Sequence, residues 1–545
     1  MHYHSETMWQ QNYSPLGSLW LSALVAALPV FTLLFLLGVR RKPAWVAALS
    51  GLAAAVVVAV AAYGMPLGLV VSATAYGAAF GLFPIGWIVL WAILLYRLTL
   101  ETGNFEIVKD SVGNITTDRR LQALLIAFAF GAFIEGAAGF GTPVAVAAAM
   151  LTGLGFSPFY AAGICLLANT APVAFGSIGI PVVTLAGITG LPLQELSTWV
   201  GRICAPVSLF VPAYLILVMG GWKALRGVLP AAFACGAAFA GAQFYVSNYV
   251  GPQLTDILSS LAAIGSLILL FRFWRPTSHF ALEGESTAQP PAVHHPFGAI
   301  LRAWSPYLLL VAFVLIWGQD GVKKALNSVT MLFEWPGLHN HVERVAPAVA
   351  APSAYAAVFR FDWLAASGTA CLLAALVACL VLRVPPAKCA RIFATTLRQL
   401  ALSMATVASV LGLAFLMNYS GATATLGLAF AATGVLFPFF SAMLGWLGVF
   451  LTGSDTSANA LFGNLQVVTA TKLNLSPVLM AASNSSGGVM GKMISLQSIA
   501  VAAAATGMKA DDESKLFRFT LRHSIFLASV LGLIVAFYSH FLIGY

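Results

Sequence analysis

Two acids stand in stretches that otherwise carry no charge. After Glu135 there is no Asp, Glu, Lys or Arg until Glu195, and Asp455 follows an uncharged run from Leu400 to Ser454. Burial in a low dielectric disfavours the ionised carboxyl group, so an acid placed there can bind and release a proton and couple it to another event. The alternative for either acid is capping of exposed N–H groups at a helix end. Short polar residues gather around both: Gly139, Thr142, Asn169 and Thr170 after Glu135, and Ser454, Thr456, Asn459, Asn484, Ser485 and Ser486 around and beyond Asp455. In hydrocarbon an unpaired hydroxyl or amide costs several kcal/mol as an order of magnitude, so the Asn and Ser residues imply a polar cavity. The Gly and Ala positions read instead as close helix packing. Lys492 is the only basic residue in the stretches Thr452–Asn464 and Ala481–Ser498. It could pair with an anion, or snorkel to an interface.

These residues need elements that stop inside the membrane. The stretch Phe130–Pro181 is apolar yet rich in Gly and Pro, and irregular backbone survives at membrane depth only where protein or a water-filled cavity satisfies it. We expect a span Leu121–Thr152 interrupted at Gly136–Pro143, and a span Pro158–Gly190 interrupted at Asn169–Pro181. Thr452–Asn464 and Ala481–Ser498 form the second broken region. Half-helices that end at midplane aim their N-terminal N–H groups at bound anions, which points to an anionic or carboxylate ligand.

Composition sets the class. The 545 residues are 60% hydrophobic and 8% charged, whereas a soluble domain is roughly a quarter charged. The expectation is an all-α polytopic membrane protein with about 12–14 transmembrane segments. The net charge of +9 does not imply nucleic acid, because the basic residues sit in short loops beside spans, where they set orientation. Arg40, Arg41 and Lys42 close the first span, Leu16–Val39, and place that end in the cytoplasm and the N-terminus outside. Pro66 to about Leu95 reads as one span, Glu101–Arg120 as an interfacial amphipathic helix, and Gln319–Phe361 as an external segment. The six cysteines show no metal-ligand spacing and read as small buried hydrophobes, and none of the nine histidines suits a midplane relay. No phosphate-binding loop and no H-E-x-x-H occurs, so neither a primary pump nor a zinc enzyme is expected, and no cofactor or metal.

An internal repeat divides the chain. Gly131–Gly136 (GAFIEG) lines up with Gly448–Gly453 (GVFLTG), Phe156-Ser157-Pro158 with Leu475-Ser476-Pro477, and Ala168-Asn169-Thr170 with Ser483-Asn484-Ser485. The basic loops make the two broken regions, residues 121–190 and 441–506, enter from opposite faces, as inverted-topology repeats require. The halves are 1–275 and 299–545, joined by a cytoplasmic linker over 276–298.

The runs GAFIEGAAGFGTPVAVAAAMLTGLGFSPFYAA and LLANTAPVAFGSIGIPVVTLA resemble the signature region of the bacterial L-lactate permease family. LTGSDTSANALFGNLQ and NSSGGVMGKMISLQSIA resemble its second signature, and the likeness extends over essentially the whole chain. The resemblance implies a multi-pass protein of the bacterial inner membrane that takes up L-lactate with protons, with D-lactate and glycolate as related substrates. It implies the ion-transporter fold, two inverted repeats that each hold a re-entrant hairpin and an unwound helix. Sites of that kind close around the Gly136–Pro143 tip, Ser454–Asn459, Asn169–Thr170 and Asn484–Ser486. A sodium-coupled carboxylate symporter is the nearest alternative, because unwound carbonyls with Ser, Thr and Asn oxygens also hold Na⁺.

Overall fold

The computed structural model describes residues 8–139, 141–276, 280, 293–349, 351–508 and 510–542. Most of the expected linker (277–279 and 281–292) lies outside the described residues. Ten described helices are long and apolar enough to cross a membrane, and the bent pair Pro158–Ala168 with Val173–Thr189 raises the number to 11. Shorter apolar helices are Thr142–Gly153, Thr255–Leu270 and Ser367–Val381. The protein is a multi-pass, all-α membrane protein. Leu19–Gly38 is 39% buried, whereas Arg119–Ala137, which carries Glu135, is 100% buried. A helix apolar on all sides and wrapped by protein belongs to the centre of a bundle.

Helix Leu193–Tyr249 has 57 residues, about 85 Å at the α-helical rise and far more than one bilayer crossing. Non-helical angles at Gly220, Gly221 and Val228 divide it near Lys223 and Arg226, where the charges end the first crossing.

Two stretches repeat one architecture. In the first, a helix ends at Ala137, turns through Gly139 (φ 60°) and Gly141 (φ 81°), and resumes as Thr142–Gly153. In the second, Phe437–Thr452 turns at Gly453 (φ 72°) into Asp455–Lys472. Each hairpin is followed by a helix that opens on Ser-Pro. Ser157 accepts from Tyr160 N at 3.4 Å and Ser476 from Leu479 N at 3.3 Å, the cap and pre-set φ that such a start requires. Both of these helices break. The first stops at Ala168 and passes Ser177, Ile178 and Gly179 with φ of 47°, 60° and 74°, and the pair is bent by 64°. The second stops at Lys492 and resumes as Leu496–Thr506. Packing between the two stretches is reciprocal: Gly176–Thr189 lies against Asp455–Lys472, and Leu496–Thr506 against Thr142–Gly153.

Three details depart from the sequence reading. The second break falls after Lys492, inside the expected stretch Ala481–Ser498, while Asn484–Ser486, which the resemblance places at the closing site, sit inside the unbroken helix Pro477–Lys492. Its small residues serve packing. A Cβ on Gly487 would lie 2.0 Å from Ala442 O, and one on Gly445 1.8 Å from Asn484 O. The span from Pro66 is itself interrupted at Gly81–Gly86, where Phe83 is non-helical and Pro84 has no N–H to give. The segment Gln319–Phe361 contains strands as well as the short helix Asp320–Asn327. Trp9–Gln10 pairs with Val342–Glu343, which continues to Ser353–Ala354, and Met331–Glu334 pairs with Val358–Phe361. Strands of 2–4 residues leave too little periodicity to read. This β layer and Arg40–Lys42 lie at opposite ends of helix Leu19–Gly38, and Gln11 fastens it down by donating to Asn418 O and Tyr419 O, both at 2.8 Å.

Candidate functional site

The two broken stretches meet at a cavity of about 80 Å³, room for a ligand of only a few heavy atoms. Its walls include Glu135, Ser177 and Pro181 from the first stretch and Ser454, Asp455, Thr456, Lys492 and Gln497 from the second. Three helix starts converge on it. Asp455–Lys472 begins behind the Ser454 cap, the right-handed part of Gly176–Thr189 begins at Ile180, and Leu496–Thr506 begins behind Ser495. N-terminal N–H groups and the partial positive charge of each helix make such a junction an anion site. Lys492 adds a full charge. It ends its own helix, where a cation is favoured, and donates to Gly453 O at 2.6 Å. An ammonium has three donors, so it can also face an anion in the cavity.

Asp455 terminates a directed chain of hydrogen bonds. Ser441 Oγ donates to Gln466 Oε1 (2.7 Å), Gln466 Nε2 to Asn484 Oδ1 (3.0 Å), and Asn484 Nδ2 to Asn459 Oδ1 (2.9 Å). Asn459 Nδ2 donates to Ser485 Oγ (3.1 Å), and Ser485 Oγ to Asp455 Oδ2 (2.6 Å). Asn459 Nδ2 also reaches Pro181 O at 3.1 Å, which ties the chain to the first stretch. These five bonds run in one direction, towards the carboxylate, and linked bonds of this kind polarise one another.

The Glu135 side differs in degree. Glu135 Oε2, both amide atoms of Asn169, and Gln243 Oε1 have no hydrogen-bond partner among the described residues, whereas around Asp455 only its own Oδ1 lacks one. The unwound backbone presses against the acid: a Cβ on Gly176 would lie 2.6 Å from Glu135 Oε1. Ser177 Oγ donates to Ala138 O at 2.9 Å, and a Cβ on Gly139 would meet Ser177 Oγ at 2.0 Å. Hairpin tip and unwound segment are therefore locked together, and the positive φ at Gly139 is a position where glycine is needed.

Of the residues singled out from the sequence, Glu135, Ser454, Asp455, Thr456 and Lys492 line the cavity. Asn459, Ser485 and Asn484 stand behind Asp455 in the hydrogen-bond chain. Gly139 and Asn169 lie on the Glu135 side without lining the cavity. Thr142 begins the second arm of the first hairpin. Thr170 and Ser486 bond the preceding turns of their own chain, at Leu167 O (2.7 Å) and Ala482 O (3.0 Å). Ser177, Ser441, Gln466 and Gln497 were not singled out; each is a polar residue in an apolar setting, a signal the sequence did contain.

A second cavity, of about 810 Å³, shares Gly453 and Gln497 with the small one and is bordered by Arg41, Lys42 and Arg518. The small site therefore adjoins a vestibule on the basic face, away from the β layer, with Gly453 and Gln497 between them.

A sequence model of the family described as L-lactate permease matches residues 22–543. The chain belongs to the L-lactate permease family. It is a membrane transporter, not an enzyme. It is 46% identical to the glycolate permease GlcA of Escherichia coli K12 over 98% of this chain and 99% of that protein. It is also 46% identical to the L-lactate permease of Bacillus subtilis 168, over 98% of each, and 44% identical to the L-lactate permease of Escherichia coli K12, over 98% and 99%. Among solved structures, the Alcanivorax borkumensis YdaH transporter aligns over 86% of each chain at a TM-score of 0.45 and 14% identity, too loose a likeness to bear on the site.

Proposed function

We propose that this transporter is a symporter of protons with L-lactate and related 2-hydroxymonocarboxylates, D-lactate and glycolate, across the bacterial inner membrane, with its N-terminus outside. The relatives named L-lactate permease and glycolate permease support the substrate class. The observation that carries the reading is Lys492 among converging helix N-termini in a small cavity that also holds two acids. The substrate carboxylate faces Lys492 and the N–H groups at Ser454–Thr456. The 2-hydroxyl bonds to short polar side chains of the wall such as Ser177 or Thr456. Glu135 takes up the proton. It stands in the last turn of its helix, where the dipole opposes a negative charge. Asp455 stands in a first turn, where the dipole favours one, and holds the hydrogen-bond chain. The reciprocal packing of the two stretches is what inverted repeats related by a pseudo-two-fold axis would produce, and alternating access then exchanges the basic vestibule for an opening beneath the β layer.

The test is uptake of radiolabelled L-lactate into proteoliposomes under an inward proton gradient, free of sodium, with and without an uncoupler. Uphill uptake that the uncoupler collapses supports proton symport. Uptake that requires sodium transfers the coupling role to a cation, and no uptake under either gradient overturns the substrate.

A further inference from the structure

A third acid lies buried in the membrane domain, outside the two broken stretches. Asp256 is the second residue of helix Thr255–Leu270 and is 1% exposed. Neither of its carboxylate oxygens has a hydrogen-bond partner among the described residues. It therefore does not cap the helix it begins. Its polar neighbours are satisfied locally: Thr255 Oγ1 donates to Gly251 O (2.9 Å), and Ser260 Oγ to Ile257 O (2.8 Å). An ionised carboxylate without a partner in such a place is strongly disfavoured, so the geometry suits the neutral acid, which has one proton to donate.

The helix that carries the acceptor is close. A Cβ on Gly136 would lie 2.8 Å from Asp256 Cβ and 3.1 Å from Ile257 N, so the helix that carries Glu135 packs directly on Asp256 because residue 136 has no side chain. Glu135 lines the cavity and Asp256 does not. Glu135 Oε2 is itself without a partner among the described residues. The titratable groups that face Asp256 are Glu135 and, from helix Leu193–Tyr249, the Cys204 thiol. The apolar turn Ala123–Phe130 and the half-helix Gly176–Thr189, which also pack on this helix, contain no titratable residue.

We propose that Asp256 is a second proton-binding group of the transporter and exchanges its proton with Glu135 at the Gly136 contact. The inference rests on the proton-coupled reading above. In the exchange, the O–H bond of Asp256 breaks as one forms on the Glu135 carboxylate. The proton number of the pair is conserved, and its negative charge moves to the protein interior only transiently, because the unpartnered Asp256 carboxylate is disfavoured there and takes the proton back from Glu135 once the anion has left. Glu135 thus becomes neutral next to the incoming anion without a proton crossing the substrate site.

The experiment compares wild type with Asp256→Asn and Asp256→Glu in proteoliposomes, for both proton-driven net uptake and lactate-for-lactate exchange. We expect Asp256→Asn to lose about tenfold or more of net uptake and to retain measurable exchange, with Asp256→Glu restoring part of the loss. Unchanged net uptake in Asp256→Asn, with wild type proton-driven, overturns the inference. So does loss of both modes without rescue by Glu, which marks a structural residue. If wild type shows no proton-driven uptake, the coupling reading fails instead. Should Asp256→Asn fail to reach the membrane, labelling of wild type with a hydrophobic carbodiimide decides, because the reagent attacks protonated buried carboxyls. A modified peptide carrying Asp256 supports the proposal, and an unmodified one overturns it.

Discussion

The two broken stretches share a plan and differ in how their polar groups are satisfied. Around Asp455, five hydrogen bonds run in one direction from Ser441 to the carboxylate, and glycines at 445 and 487 bring backbones into contact behind them. Around Glu135, backbone lies in left-handed conformations at Ser177, Ile178 and Gly179, and Glu135 Oε2 and both amide atoms of Asn169 lack partners among the described residues, against Asp455 Oδ1 alone on the other side. Left-handed backbone at a non-glycine residue costs of order 1–3 kcal/mol and persists where its surroundings over-determine it, often at functional sites. One side is preorganised to hold charge and shape. The other is held ready for something that arrives.

The sharpest way to break this contrast is to neutralise each acid. Glu135→Gln should abolish proton-driven accumulation, about a hundredfold or more, while lactate-for-lactate exchange survives at least in part. Asp455→Asn should lose both modes, since it removes the negative charge on which the chain ends. If Glu135→Gln accumulates lactate normally, Glu135 is structural and the contrast fails.

Packing separates the two sides next. Gly487→Ala forces a methyl group against Ala442 O at 2.0 Å and should cost about 3 kcal/mol, seen as a lower melting temperature in detergent. Gly153→Ala, with nothing within 4 Å of the added carbon, should melt like wild type. Equal melting of the two variants would show that the second stretch is not tightly packed.

Ser485→Ala removes the 2.6 Å bond to Asp455. A hydrogen bond to a charged group contributes about 1.5–3 kcal/mol, so we expect lactate affinity or thermal stability to fall accordingly. No change in either would make that bond dispensable. The smallest effect belongs to the vestibule. Arg518→Gln should lower uptake at limiting lactate only about twofold and only at low ionic strength, because an exposed charge steers rather than binds. The same loss at high salt would place Arg518 in the site itself.

Much of this is legible in the sequence. Charge-free runs broken by Gly and Pro located the first hairpin and the first unwound helix, because hydrocarbon admits irregular backbone only where protein satisfies it. The Ser-Pro pairs at 157–158 and 476–477 marked two equivalent helix starts, and both cap as their sequence allows. The second break falls inside the expected stretch Ala481–Ser498, but the sequence does not say where within it. A run such as Ser483–Gly491 has no proline, and small polar residues permit either a kink or close packing.

By itself the sequence determined that this is a polytopic helical protein, that Glu135, Asp455 and Lys492 stand as lone charges in apolar stretches, and which family it belongs to. These properties follow from local composition against the fixed thickness and dielectric of a bilayer. Only the tertiary structure decided that Asn459, Asn484 and Ser485 form one chain aimed at Asp455, that Asn484–Ser486 stay helical, and that Asp256 is buried under Gly136. Each depends on which surface a distant helix presents, and no spacing along a single segment encodes that.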